Sequence, residues 1–245
     1  MDDYAELFVD LCVVSMKAAL NKDFAYAITP MKIMSWPVGT WPLQDYNILS
    51  AMRVIFTIFL VLLMLMIVQL EIYLDSSDAE KNLDGLVLIT CGILAMSKIL
   101  QFRIRPAGLI SNFTSAVKDY NELNDQEKRV IVRRHAYMGR VAGISGVLFA
   151  YFSATLFTTL PMLAAEETKD IVNVTKESIP EYPIPSEKVV ALVKIPENLY
   201  FIVFIVEYLM LLLTSNGNLG NDSLFFGITF HLCGQVEILK LDFKR

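Results

Sequence analysis

Charged side chains are scarce in this sequence, and their scarcity excludes an ordinary soluble protein. Asp, Glu, Lys and Arg make up 19% of the 245 residues, whereas apolar residues make up 55% and the mean hydropathy is +0.49. Soluble domains carry about 25% charged residues. The composition therefore indicates an integral membrane protein. The net charge of −5 also lacks the basic excess typical of nucleic-acid binding, so we expect no nucleic-acid partner.

Cysteine is equally rare, and its count argues against a disulfide framework. The three cysteines are Cys12, Cys91 and Cys233. This is an odd number, and two of them fall within or at the end of hydrophobic stretches. Four-span scaffolds such as tetraspanins and claudins bring cysteines into their outer loops, whereas residues 164–197 contain none. A four-span membrane scaffold protein is therefore a disfavoured alternative.

Histidine is also rare, and motifs for catalysis are absent from the sequence. The only histidines are His135 and His231, and no HExxH, paired CxxC, GxSxG or phosphate-binding glycine loop occurs. A lone histidine at a helix end is more often a structural hydrogen-bonding group than a ligand. We therefore expect no catalytic residue, no metal site and no cofactor, and the protein is not expected to be an enzyme.

The first 45 residues are predicted to be a cytoplasmic segment with an amphipathic helix. The start, MDDYAELFVDLCVVSMKAAL, lacks the positive n-region and small-residue cleavage site of a secretory signal. Read as a helix, Leu7, Leu11 and Val14 share one face, which suits a helix along the membrane surface or packed on the spans. The following stretch is broken by prolines, and Trp36 and Trp41 favour a headgroup boundary there.

Four apolar runs are long enough to cross a bilayer as helices, so the predicted fold is all-α. We assign the spans to residues 46–70, 85–103, 138–163 and 198–245, the last being long enough to continue into a cytoplasmic extension. The connecting segments are a short outer loop at 71–84, a basic cytoplasmic loop at 104–137 and an outer loop at 164–197. Because basic residues concentrate in 104–137, both termini are predicted to be cytoplasmic. The sequon at Asn173 then lies outside and is a glycosylation candidate.

An acid within the fourth span requires an explanation. Glu207 lies about ten residues into the span, ~15 Å deep at the helical rise, and an uncompensated charge there costs about 2.5 to 3.5 kcal/mol. It is either a protonated or hydrogen-bonded acid that stabilises the bundle, with Lys98 as one candidate partner, or part of a ligand cavity. The same two interpretations, packing or pocket, apply to Tyr151, Thr155, Phe204 and Tyr208.

Three stretches carry a resemblance to a known family. They are PMKIMSWPVGTWPLQ before the first span, LISNFTSAVKDYNELNDQEKRVIVRRHAYMGR between the second and third, and NLGNDSLFFGITFHLCGQVEILKLDF in the fourth. Together they resemble an insect odorant receptor of a hymenopteran-like type, over essentially the whole chain. A gustatory receptor relative shares the topology and is the other alternative.

The resemblance implies a subunit of a ligand-gated, non-selective cation channel. Such a subunit has seven spans, assembles as a heterotetramer with an olfactory co-receptor (Orco) in the plasma membrane of olfactory sensory neurons, and binds a small hydrophobic odorant within the lipid bilayer. By position, the candidate odorant-pocket residues here are Cys91, Leu94, Tyr151, Thr155, Phe204, Glu207 and Tyr208.

The family signature lies in the fourth span and ends close to the end of this chain. Its recognisable residues, Asp222, His231, Gly234 and Gln235, are expected to have a packing or coupling role. Because the family has three further spans, which include the pore, we expect this chain to be a truncated version of the seven-helix subunit that gives no odorant-evoked current.

Overall fold

The computed structural model describes residues 22–74, 79–171 and 182–245, and it is helical, with no strand among those residues. The amphipathic helix expected near the N-terminus and the Asn173 sequon lie outside the described residues. The helices are α1 Lys22–Ser35, α2 Ile48–Leu74, α3 Ala79–Ile104, α4 Ala107–Glu122, α5 Gln126–Ile171, α6 Glu187–Val193, α7 Tyr200–Ser215 and α8 Asn221–Asp242. A 3₁₀ turn, Glu197–Leu199, precedes α7, and a π-helical turn, Asn216–Gly220, joins α7 to α8.

Four helical stretches are long and apolar enough to cross a membrane. They are Ile48–Leu74, Lys81–Ile104, Gln126–Thr159 and Tyr200–Asp242. This agrees with the predicted all-α membrane protein with four candidate spans. The third stretch begins at Gln126 rather than at 138, because the basic sequence before the apolar run holds no proline and continues the same helix.

Polar groups and backbone geometry define several helix ends. Asn47 Oδ1 accepts the backbone N–H of Ser50 at 3.0 Å at the start of α2, which satisfies one of the unpaired donors of the first turn. Asp125 Oδ1 does the same for Glu127 at 2.9 Å at the start of α5. Helix α6 ends at Val193, and the left-handed backbone of the next residue, Lys194 (φ 57°), lets the N–H groups of Lys194 and Ile195 donate to the carbonyls of Ala191 and Val190.

The chain divides into two compact units. The first contains the described residues within Met1–Ile55, Ser97–Leu148 and Asn216–Arg245, and the second those within Phe56–Met96 and Phe149–Ser215. The first unit has an apolar core in which aromatic rings meet edge to face. Phe24 lies 5.5 Å from Tyr120 and Trp41 lies 5.8 Å from Phe113, both between ring centroids.

Trp41 is 3% exposed and packs within this core, and its place at a headgroup boundary stays a prediction. Trp36 is half exposed and stacks under the Arg53 guanidinium at 4.0 Å. The Arg103 guanidinium likewise lies over the Tyr46 ring, 4.8 Å from its centroid. These contacts stabilise the segment between α1 and α2.

Candidate functional site

The buried acid Glu207 binds a connecting segment in the second unit. Its side chain on α7 is 2% exposed. The Ser186 hydroxyl donates to Oε1 at 2.7 Å, and the backbone N–H of Ile184 donates to Oε2 at a longer 3.4 Å. Lys98, the partner considered from the sequence, instead binds Asp222. The acid is therefore hydrogen-bonded to the loop before α6, which is how a buried carboxylate is usually stabilised.

A second buried acid, Glu71 near the end of α2, binds the same connecting segment. It is 7% exposed, and its two carboxylate oxygens accept the backbone N–H groups of Lys188 and Val189 at 2.9 and 3.0 Å. These are unpaired donors in the first turn of α6. Glu71 thus caps α6 from another helix, and its negative charge suits the helix N-terminus.

Two of the predicted pocket residues meet across α5 and α7. The Thr155 hydroxyl and the Tyr208 phenol oxygen are 3.0 Å apart. The Thr155 hydroxyl also lies 2.8 Å from the Tyr151 carbonyl, to which it donates. Because a hydroxyl has one proton, the Tyr208 phenol is the donor to Thr155. Tyr151 therefore contributes its backbone to this pair, and its side chain is half-buried.

Phe204 belongs to a row of aromatic rings that includes the connecting segment. Its ring centroid is 6.2 Å from that of Tyr200, which lies 5.3 Å from Tyr182 at an interplanar angle of 61°. Phe204 is three residues before Glu207 and four before Tyr208, so the three share one side of α7. Apolar rings, a hydroxyl pair and a buried acid are thus brought together in this unit.

The structure leaves Cys91 and Leu94 on the exposed side of α3. Leu94 is 49% exposed, and Cys91 is also classed as exposed. The face of α3 that packs is instead the one bearing Gly92, where an added Cβ would lie 2.8 Å from Leu65 Cδ2. A role for Cys91 and Leu94 in a pocket stays a prediction.

The residues of the family signature make contacts in the first unit. Asp222 pairs with Lys98 at 2.7 Å. His231 Nε2 lies 2.9 Å from Asp119, and its ring stacks on Tyr120 with centroids 5.3 Å apart. Gly234 is buried, with an added Cβ 3.5 Å from the His135 side chain, and Gln235 is half-buried. Their expected packing or coupling role stays a prediction.

Sequence reasoning did not identify Glu71 or Ser186. Glu71 follows the run assigned to the first span directly, within QLEIYL, and an acid inside such an apolar stretch is a signal that a partner is needed. Ser186 lies in PSEK, a serine before an acidic first turn, which is an N-terminal helix signature.

Among the residues that the structure describes, no group of three or more His, Cys, Asp or Glu residues could hold a metal ion. In the comparison with known families, a family model described as 7tm Odorant receptor matches residues 78–245. Neither the curated proteins nor the solved structures contain a match to this chain.

Proposed function

Because this chain belongs to the insect odorant receptor family, we propose that it senses small hydrophobic odorants within a ligand-gated, non-selective cation channel formed with an olfactory co-receptor. The family is one of receptors and channels, not of enzymes. The proposal rests on the family match over residues 78–245, which include all of α3 to α8.

The proposed odorant site is the side of α7 that carries Phe204 and Tyr208, together with Tyr151 and Thr155 of α5. A volatile molecule that leaves water for such a site gains about 25 cal/mol per Å² of apolar area buried. The Tyr208–Thr155 hydroxyl pair supports a polar contact, because the Tyr208 proton can turn from Thr155 to the hydroxyl or carbonyl oxygen of an odorant. Apolar rings with few polar groups are typical of small-molecule sites.

The proposed setting is the plasma membrane of olfactory sensory neurons, with four spans and with the N-terminus and residues 104–137 on the cytoplasmic side. The basic residues of that segment support this orientation. An odorant shifts the channel toward its open state only by as much as it binds that state more tightly. We therefore expect the odorant site of this chain to change the stability of the open state relative to the closed state, and the partner subunit to respond to that change.

Direct binding tests the proposal. The 245-residue chain is reconstituted in lipid vesicles, and the loss of 1-octanol, acetophenone and n-octane from the headspace is compared with empty vesicles of the same composition. Saturable depletion of at least one probe is expected. Depletion that only follows the lipid content would contradict odorant sensing.

The co-receptor is tested separately by co-expression in insect cells and affinity purification of the tagged chain from mild detergent. We expect the co-receptor to co-purify with this chain and not with an unrelated four-span membrane protein. Equal recovery with both would contradict a specific assembly and leave the binding result unaffected.

A further inference from the structure

Two buried acids from different helices hold one short stretch of chain, residues 182–189, called here the 182–189 segment. Glu207 of α7 accepts the Ser186 hydroxyl and the Ile184 amide, and Glu71 of α2 accepts the amides at the start of α6. Ile184 and Ser186 are 1% and 0% exposed. These two residues are therefore part of the packed interior of the second unit.

The acids and the segment depend on each other. A buried carboxylate is costly unless it is hydrogen-bonded, and the buried donors of the segment are equally costly when unpaired. Both oxygens of Glu71 and both of Glu207 accept from the segment. Loss of either acid thus releases donors that have been taken out of water.

The 182–189 segment begins with an aromatic ring beside the proposed odorant site. Tyr182 contacts Tyr200 edge to face, and Tyr200 contacts Phe204, the ring that shares a side of α7 with Tyr208. The hydrogen bonds to Glu207 start two residues after Tyr182. The position of the Tyr182 ring is therefore tied to the position of the acid.

We propose that the 182–189 segment forms one wall of the odorant site, with Tyr182 as a specificity-determining residue and Glu71 and Glu207 as positioning residues. This rests on the proposed odorant-sensing function and adds a ligand preference to it. An aromatic odorant can meet the Tyr182 ring edge to face, which an aliphatic odorant of similar size cannot. The wall therefore favours aromatic odorants.

The positioning role is tested by hydrogen exchange in lipid nanodiscs, at the amides of Ile184, Lys188 and Val189. Glu71→Ala and Glu207→Ala are expected to speed exchange of the segment about tenfold or more. The Gln variants keep one acceptor oxygen and should give intermediate rates. Glu187→Gln is the matched control, since Glu187 pairs with the exposed Lys81, and its rates should stay near those of the unaltered chain.

The specificity role is tested by the ratio of acetophenone to 1-octanol affinity, measured by headspace depletion over vesicles. Tyr182→Leu and Glu207→Ala should lower that ratio about two- to tenfold, the range expected for one aromatic contact. Tyr73→Leu removes a ring that is 84% exposed on α2 and should leave the ratio unchanged. Ser186→Ala, which removes only the hydroxyl donor to Glu207, provides a milder second variant.

The results of these two experiments distinguish failure of the proposed wall from failure of the proposed odorant-sensing function. A lowered ratio with faster exchange in the acid variants supports both roles. Saturable binding with an unchanged ratio in Tyr182→Leu and Glu207→Ala overturns the wall and leaves odorant sensing intact. Exchange rates that stay slow in both Ala variants overturn the positioning roles. If the unaltered chain binds neither probe, the proposed function and this inference fail together.

Discussion

The phenol of Tyr208 on α7 donates to the hydroxyl of Thr155 on α5, with 3.0 Å between the oxygens. The Thr155 proton is already directed to the Tyr151 carbonyl, so the Tyr208 proton is the one that an odorant oxygen could recruit. Thr155 is exposed and Tyr208 half-buried. A partly exposed hydroxyl pair between two candidate spans is a polar group that a bound molecule could reach.

Replacement of Tyr208 by Phe is therefore expected to weaken binding of 1-octanol about two- to tenfold, the value of one neutral hydrogen bond, and to leave n-octane binding unchanged. Headspace depletion over vesicles measures both affinities. Thr158→Val is the matched control, since Thr158 is buried and donates only to its own helix at Ala154. An equal loss for both probes would assign Tyr208 to packing.

The burial of Glu207 could be predicted from the sequence, because its depth follows from its place in an apolar run. Its hydrogen-bond partners could not be predicted. Ser186 precedes Glu207 by 21 residues and Glu71 lies 117 residues before its partner Lys188, so both contacts depend on how the loop folds back. Local periodicity carries no information about that fold.

The ion pair between Lys98 and Asp222 is expected to stabilise the first unit. Its atoms are 2.7 Å apart, and the side chains are 22% and 41% exposed, between the fully exposed pairs that contribute little and the buried ones whose disruption is costly. Asp222→Asn should lower the free energy of unfolding by about 1 to 2 kcal/mol. Thermal unfolding in detergent micelles measures this effect.

The comparison for this pair is Lys118→Met, because Lys118 and Glu122 are 3.8 Å apart and mostly exposed. It should change the unfolding temperature very little. Lys98→Met combined with Asp222→Leu should recover part of the loss, since neither charge is then left unpaired. A strictly additive double variant would show that the pair makes no net contribution.

Gly39 is predicted to be intolerant of a side chain. Its φ of +75° is a left-handed conformation, and an added Cβ would lie 2.6 Å from Val54 Cγ2 and 3.0 Å from the Ser50 carbonyl oxygen. Gly39→Ala should cost about 1 to 3 kcal/mol. Gly108→Ala is the control, because nothing lies within 4 Å of its added Cβ. Similar unfolding temperatures for both variants would contradict the conformational argument.

Much of the fold was predictable, because the length of an apolar run decides whether a helix can span a bilayer. The conformation of the stretch around Gly39 was not predictable. The sequence SWPVGTWPLQ shows that regular structure is broken there, but not that Trp41 turns inward against Phe113. That choice depends on α4, more than 60 residues further along the chain, and on the cost of leaving a core cavity unfilled.

Low pH is expected to destabilise the start of α5, because Asp125 becomes protonated there. Its carboxylate accepts the N–H of Glu127 and a hydrogen bond from Arg245, and these, the backbone contact first, hold its pKa below the usual value. A lowered folded-state pKa adds stability above the unfolded value of about 3.9, and that stability is lost as the pH falls through the folded pKa.

Asp125→Asn keeps an acceptor for the Glu127 N–H but cannot titrate. The unaltered chain should therefore be the more stable of the two near about pH 6, and the difference in unfolding temperature should shrink as the pH falls toward about 3. Subtraction of the two curves cancels the titration of every other carboxylate, so a difference that stays constant over this range would show that the Asp125 charge contributes nothing.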